Sequence, residues 1–304
     1  MEAFLGQHAD AQQHYRQALA LYQQVQDRLG EAHCLRGLAA VEAFLNQHAD
    51  AQQYYRQALA LFQQVQSRLG EANCLLGLAD VEAFLNQHAD AQQHYRQALA
   101  LYQQVQSRLG EANCLKGLAA VEAFLNQHAD AQQHYRQALA LFQQVQSRLG
   151  EAHCLKGLAD VHRDRSEVAE ALNGYAEALP IYLDDVGDRQ GAAECLLAWG
   201  EALALTGNLD AAAAHHAAAV DHAEATGDRW TRTQLWRLQG DIARQRGDVA
   251  AARAAYQEAL PGGNHRGHRL VDCHGSRAST GPTIRIRVEG HVEPTCSTWL
   301  DITP

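Results

Sequence analysis

The first 160 residues of this 304-residue chain are four near-copies of one 40-residue segment. Residues 81–120 and 121–160 differ at only three places, Tyr102/Phe142, Asn113/His153 and Ala120/Asp160. Residues 1–40 and 41–80 differ from each other at eight places, and a diverged version continues from 161 to 260. One residue is inserted near Pro180, because Cys154 and Cys195 stand 41 apart instead of 40. A fixed period of this size marks a stack of identical supersecondary units, each unable to bury its apolar face alone. It therefore excludes most ways of folding 304 residues into two unrelated globular domains.

Each unit carries two helical patterns. In one, Cys34, Leu35, Leu38, Ala39, Val41 and Leu45 make an apolar stripe, with His33, Arg36, Ala40 and Phe44 pointing the other way. In the other, Ala51, Tyr55, Ala58, Leu59, Phe62 and Val65 recur at three- and four-residue steps, backed by Gln52, Gln53, Gln57, Gln63 and Gln64. Between the patterns the column Gly6, Asn46, Asn86, Asn126, Ser166, Gly207, Gly247 predicts a turn. Gly and Asn tolerate the left-handed backbone that ends a helix. The expected fold is all-α, a right-handed superhelical solenoid of antiparallel helix pairs over residues 1–260, about six units with the first truncated.

The later units resemble tetratricopeptide repeats. Trp236, Gly240, Gly247, Ala252, Tyr256, Ala259, Leu260 and Pro261 follow that pattern, and Leu196, Trp199, Gly200, Gly207, Ala212 and Ala219 repeat it one unit earlier. In the first four units Ala51, Tyr55 and Ala58 hold, while Ala39 stands where the family has Gly and Glu42 where it has Tyr. The 40-residue step is similar to the kinesin light-chain type. The phrase LGEANCL at 69–75 is similar to runs in sensor arrays at the C-termini of STAND-type signalling ATPases. What the resemblance implies is a protein-interaction scaffold whose concave groove holds extended or helical peptides.

Both ends break the pattern. Met1 occupies the column of Val41, Val81 and Val121, so most of one helix is missing, and the sequence reads as a fragment against a genuine start. From Pro261 the remaining 44 residues hold four of the five prolines and six glycines, and no helical period. Residues 261–304 are expected to be a mostly irregular tail, disordered or an out-of-frame terminus; the stretch from Thr283 alternates like one strand with nothing nearby to pair it.

Composition removes several functions. A net charge of −10, with 25 basic against 35 acidic residues, leaves nothing to neutralise phosphates and argues against nucleic acid. No apolar run can cross a bilayer and no signal peptide is visible, so the expected setting is cytoplasmic, with no membrane partner. There is no nucleotide loop, nucleophile elbow or H-E-x-x-H, so no enzyme and no cofactor are expected. Cys34, Cys74, Cys114 and Cys154 read as buried structural thiols, since neighbouring repeats stand about 10 Å apart, beyond disulfide reach. Paired histidines such as His88 with His94 lie six apart on different faces, and His265, His268, Cys273 and His274 fit no zinc spacing, so no metal is expected. Glu42, Glu82 and Glu122, within an apolar face, call for a structural partner on the following helix, such as Arg56 or His48.

The informative positions are those where near-identical units differ. The columns His33/Asn73/Asn113/His153, Arg36/Leu76/Lys116/Lys156 and Ala40/Asp80/Ala120/Asp160 are spaced three and four apart, on one stripe opposite the buried face. The resemblance assigns that stripe to the groove; neutral drift after duplication is the competing account. Phe44, Phe84 and Phe124 flank it as candidate anchors. Gly37, Gly77, Gly117 and Gly157 sit beside it mid-helix, explicable if a ligand or a neighbouring helix approaches closely. The candidate partner-binding set is therefore His33, Arg36, Phe44, Asn73, Leu76, Asp80, Phe84, Asn113, Lys116, Phe124, His153, Lys156 and Asp160. Neither the chaperone-tail nor the kinesin light-chain ligand transfers, because Ala40, Ala120 and Asp160 follow the basic residues and Gly37, Gly77 and Gly117 replace groove asparagines. The expected partner is a peptide or protein with both charges and an apolar anchor, and uncapped ends allow end-to-end self-association.

Overall fold

A computed structural model of the protein describes residues 2–259, 284–288 and 298–302. Its helices are α1 (Glu2–Gln24), α2 (Arg28–Phe44), α3 (His48–Gln64), α4 (Arg68–Phe84), α5 (His88–Gln104), α6 (Arg108–Phe124) and α7 (His128–Gln144). They continue as α8 (Arg148–Asp164), α9 (Val168–Pro180), α10 (Arg189–Leu205), α11 (Leu209–Thr226), α12 (Arg229–Gln245) and α13 (Val249–Ala259). Two strands, β1 (Ile284–Val288) and β2 (Thr298–Ile302), pair antiparallel. The all-α solenoid is what the periodicity requires. The strand expected from Thr283 does have a partner, contrary to the sequence reading, in residues 298–302. The tail cluster His265, His268, Cys273 and His274 lies outside the described residues.

The pairs α2/α3, α4/α5, α6/α7, α8/α9, α10/α11 and α12/α13 stack in order, each second helix wedged between its own first helix and the next. Alanine makes this possible. Ala32, Ala39, Ala51 and Ala58 and their counterparts are fully buried, letting backbones approach closely while Leu38, Leu78, Leu118, Phe62 and Phe142 fill the space between. The cysteines are buried as expected, and burial pushes the thiols of Cys74, Cys114 and Cys154 up to about 12, far from a reactive range.

The turns within pairs fall at Asn46, Asn86, Asn126, Ser166, Gly207 and Gly247, each with φ between 59° and 80°. Gly6 breaks the prediction: it lies inside continuous α1. Only four described residues precede it, too few to fold back and pack, so helical continuation keeps their hydrogen bonds. A second column of left-handed residues, Gln26, Gln66, Gln106, Gln146, Gly187 and Gly227, joins one pair to the next. There Val65 caps α3 and is exposed, so it leaves the stripe assigned to it, and Ser67 or Asp27 accepts the amide of Gly70 or Gly30. Gln52 is buried, not on the polar face, and its Nε2 donates to Gln87 at 2.9 Å.

The inserted residue has a clear place. In regular units the amide before the next first helix reaches five residues back, Ser147 to Phe142 at 2.9 Å. After Pro180 the chain forms a π-helical segment, Ile181–Val186, and Asp188 reaches six back to Tyr182 at 2.8 Å. One extra residue is absorbed as a wider turn, so the stacking register is kept.

Candidate peptide-binding groove

Which side is concave follows from the contacts. The first helices approach one another, α2 to α4, α4 to α6, α6 to α8, α8 to α10 and α10 to α12. Among the described residues no second helix approaches another second helix. The first helices therefore form the inner layer of the curve and the second helices the outer.

The sequence-derived stripe lies on the first helices, along that inner layer. In α4 it reads Asn73, Leu76, Asp80, Phe84; in α6, Asn113, Lys116, Ala120, Phe124. His33, Asp80 and the three phenylalanines are exposed, while Arg36, Asn73, Leu76, Asn113, Lys116, His153, Lys156 and Asp160 are half-buried. Phe44, Phe84 and Phe124 are 50%, 64% and 66% exposed at the C-terminal ends of their helices. Each packs its ring against a histidine that opens the preceding second helix or its counterpart in α1, as in the tilted pairs His48–Phe84 at 4.1 Å and His88–Phe124 at 4.4 Å. They form a row along one rim.

Tyrosines from the second helices reach through to this floor. The Tyr95 hydroxyl donates to Asp80 at 2.6 Å, Tyr175 to Asp160 at 2.6 Å, and Tyr256 to Asp241 at 2.6 Å, always fifteen residues apart. Tyr102 donates to Asn73 at 2.7 Å. The mid-helix glycines exist for these rings: a Cβ on Gly77 would stand 2.3 Å from the Tyr55 ring, and on Gly117 2.4 Å from Tyr95. A neighbouring helix, then, explains the close approach without a ligand.

Charge is distributed unevenly along the stripe. Arg36 and Lys116 face Ala40 and Ala120 and make no ion pair among the described residues. Asp80 has Leu76 one turn away and no cation within 4 Å. Crowding by the groove walls pushes the Asp80 carboxyl up although it stays open to water, and Tyr95 and Lys116 oppose this. Further along, Lys156 donates to Asp160 at 3.0 Å, Arg163 reaches Asp160 at 3.4 Å and Glu201 at 3.1 Å, and Arg237 reaches Glu201 at 2.9 Å. Burial alone would raise Asp160, but Lys156 and Arg163 hold it below the usual carboxylate range. Burial, then the Lys116 ammonium, lowers His153 to about 4.

The repeated glutamates are structural. Glu82 is paired by His94 Nδ1 at 2.6 Å from the following helix and by Arg56 at 3.8 Å from the preceding pair; Glu122 takes His134 at 2.6 Å. Glu42 corrects the expectation: its partners, Gln12 and Arg16, come from α1, before it, because Tyr54 stands where the later units have His94 and His134. Two surface clefts, lined by Gln103, Gln106, Arg108 and Glu111 and by Gln63, Gln66, Arg68 and Glu71, sit at the turns between pairs, where the Arg–Glu pairs occupy them. Neither belongs to the groove.

The sequence reading missed the tyrosine hydroxyls and the Arg163–Glu201–Arg237 chain. The signal for the first was available: an Asp fifteen residues before a Tyr recurs three times.

A tetratricopeptide repeat family model matches residues 1–64 and 111–184. No curated protein matches the sequence. Among solved structures, a Rap protein complexed with Competence and Sporulation Factor superposes with TM-score 0.66 at 18% identity, over 74% of this chain and 63% of that one. The Rap conjugation gene regulator of plasmid pLS20, in complex with the Phr* peptide, gives 0.61 at 14%, over 76% and 73%. A STAND protein with a tetratricopeptide repeat sensor from Pyrococcus horikoshii gives 0.61 at 12%, over 78% of this chain and 37% of that one. The two matched stretches carry tetratricopeptide repeats, and the solved structures share the fold.

Proposed function

We propose that the protein is a non-catalytic interaction scaffold that holds a peptide, or an extended segment of a partner protein, along the inner layer of first helices. The observation that carries this reading is the continuous stripe there: half-buried polar floor, unpaired charges and an exposed aromatic row side by side. Exposed aromatics beside a polar floor are what anchor and orient a ligand. The likeness to structures titled as complexes with a peptide or a factor agrees with it. Buried, unreactive thiols suit a reducing cytoplasm, and no described helix is long and apolar enough to cross a membrane.

The test is selection of a displayed random-peptide library on the full chain, followed by titration of selected peptides against Phe84→Ala, Phe124→Ala and Lys116→Glu. Binding weakens in each variant while the circular dichroism spectrum stays unchanged. Selected peptides that bind all three variants as tightly as the parent would refute the groove. A second reading, the sensor array of a larger signalling ATPase, rests on the likeness to the STAND sensor. A nucleotide-binding module encoded in the same reading frame favours it.

A further inference from the structure

We infer that the ligand is an acid–base–acid peptide and that it is read by α2, α4 and α6 alone. This rests on the groove reading above and deepens it. Along the inner layer the charges fall into two regimes. In the first three first helices, Arg36, Asp80 and Lys116 alternate in sign, and none has an ion-pair partner among the described residues. From α8 onward most groove charges are already in direct ion pairs, Lys156 and Arg163 with Asp160, Arg163 and Arg237 with Glu201, while Glu194 on α10 has only Gln190 at 3.4 Å and the field of Lys156. A ligand charge placed there would have to break an existing network, whereas one placed over α2–α6 meets groups in no direct ion pair, Asp80 being held by the Tyr95 hydroxyl and the more distant Lys116.

Spacing sets the register. Packed helices stand about 8–10 Å apart, and an extended chain advances about 3.3 Å per residue, so one repeat step spans about three ligand residues. Arg36 and Lys116, in the same column two repeats apart, call for acids about six residues apart. Asp80, one repeat on and one helical turn across, calls for a cation or strong donor midway. The Tyr95 hydroxyl, bonded to Asp80 at 2.6 Å, fixes the carboxylate for that contact. The probe is thus of the form Glu-x-x-Lys-x-x-Glu, with leucine or phenylalanine at x to meet the rim of Phe44, Phe84 and Phe124. The pattern is palindromic in charge and holds for either chain direction.

The experiment titrates two fluorescein-labelled synthetic peptides against the full chain: that sequence and its inverse, Lys-x-x-Glu-x-x-Lys. The first binds about tenfold or more tightly than the second, the margin of one well-placed charge contact. The triple variant R36E/D80K/K116E inverts the order, whereas Arg237→Ala changes neither affinity by more than about twofold, as expected for a groove charge already paired with Glu201 and outside the reading region. Equal affinities, no measurable binding of either, or an Arg237→Ala loss as large as that of Lys116→Glu would overturn the inference. Library peptides that bind through Phe84 and Phe124 but ignore the three charges would sink this inference and leave the scaffold reading standing. Library peptides indifferent to every groove substitution would sink both.

Discussion

Tyr54→His should stabilise the array, and the repeats supply their own control. Glu42 is only 2% exposed, and its Oε2 is buried with no hydrogen-bond partner. In the next two units the same oxygen is met by His94 and His134 at 2.6 Å. Tyr54 occupies the equivalent site. A hydrogen bond to a charged group is worth about 1.5–3 kcal/mol. Against this, the half-buried Tyr54 ring loses part of its contact with the core, about 0.5–1 kcal/mol at 25 cal/mol per Å2. The net expectation is a gain of about 1 kcal/mol, or a few degrees in melting temperature. Repeat arrays open locally, so amide hydrogen exchange in α2 and α3 is the sharper assay, and slower exchange should be confined to those helices. The reverse change, His134→Tyr, leaves Glu122 without its partner and should cost about 2–3 kcal/mol. If Tyr54→His is neutral and His134→Tyr is too, the buried pair does not stabilise the stack.

Three further outcomes follow from particular contacts. His153, held near pH 4 against an ordinary value of 6.5, favours the neutral form in the folded state. Its contribution is intact above pH 6.5 and is lost as pH falls from 6.5 to about 4. Urea melts of the parent and of His153→Asn, which copies Asn113, should therefore diverge in that window, with the variant losing less stability on acidification. Gly117→Ala should destabilise by about 1–3 kcal/mol through overpacking against Tyr95, since the added Cβ would lie 2.4 Å from its ring; an unchanged thermal midpoint would show that the ring yields. Asp80→Ala, which copies Ala40 and Ala120, should cost less than about 1 kcal/mol in thermal melts, because the Tyr95 hydroxyl can turn to water.

Much of the fold could be read directly from the sequence because helical periodicity is local. The stripes beginning at Cys34 and Ala51 define two helices, and Asn46 with its column marks the stop between them. The second stop was hidden because its residue, Gln66 and its counterparts, is an unusual choice for a left-handed backbone. Gly6 failed for the opposite reason: a turn residue makes no turn without a helix to fold back. The stripe of His33, Arg36, Asp80, Lys116 and their column mates was found because near-identical units differ there. Which of those charges were already satisfied was legible within one helix but not between repeats. Lys156 and Lys116 look alike in sequence, yet one has Asp160 a turn away and the other Ala120, and Arg163 and Glu201 stand in different repeats. The tyrosines that bridge outer to inner helices lie fifteen residues from their acceptors, across a turn, beyond any helical period.

Photo-cross-linking measures most directly whether the inner layer is the binding surface. A library-selected peptide carrying benzophenone at successive positions is bound to the full chain, irradiated and mapped by mass spectrometry. Cross-links should fall on α2, α4 and α6, near Leu76, Ala120 and Phe124. Cross-links concentrated on the outer helices, around Gln53, Gln57 or Gln97, would contradict the account.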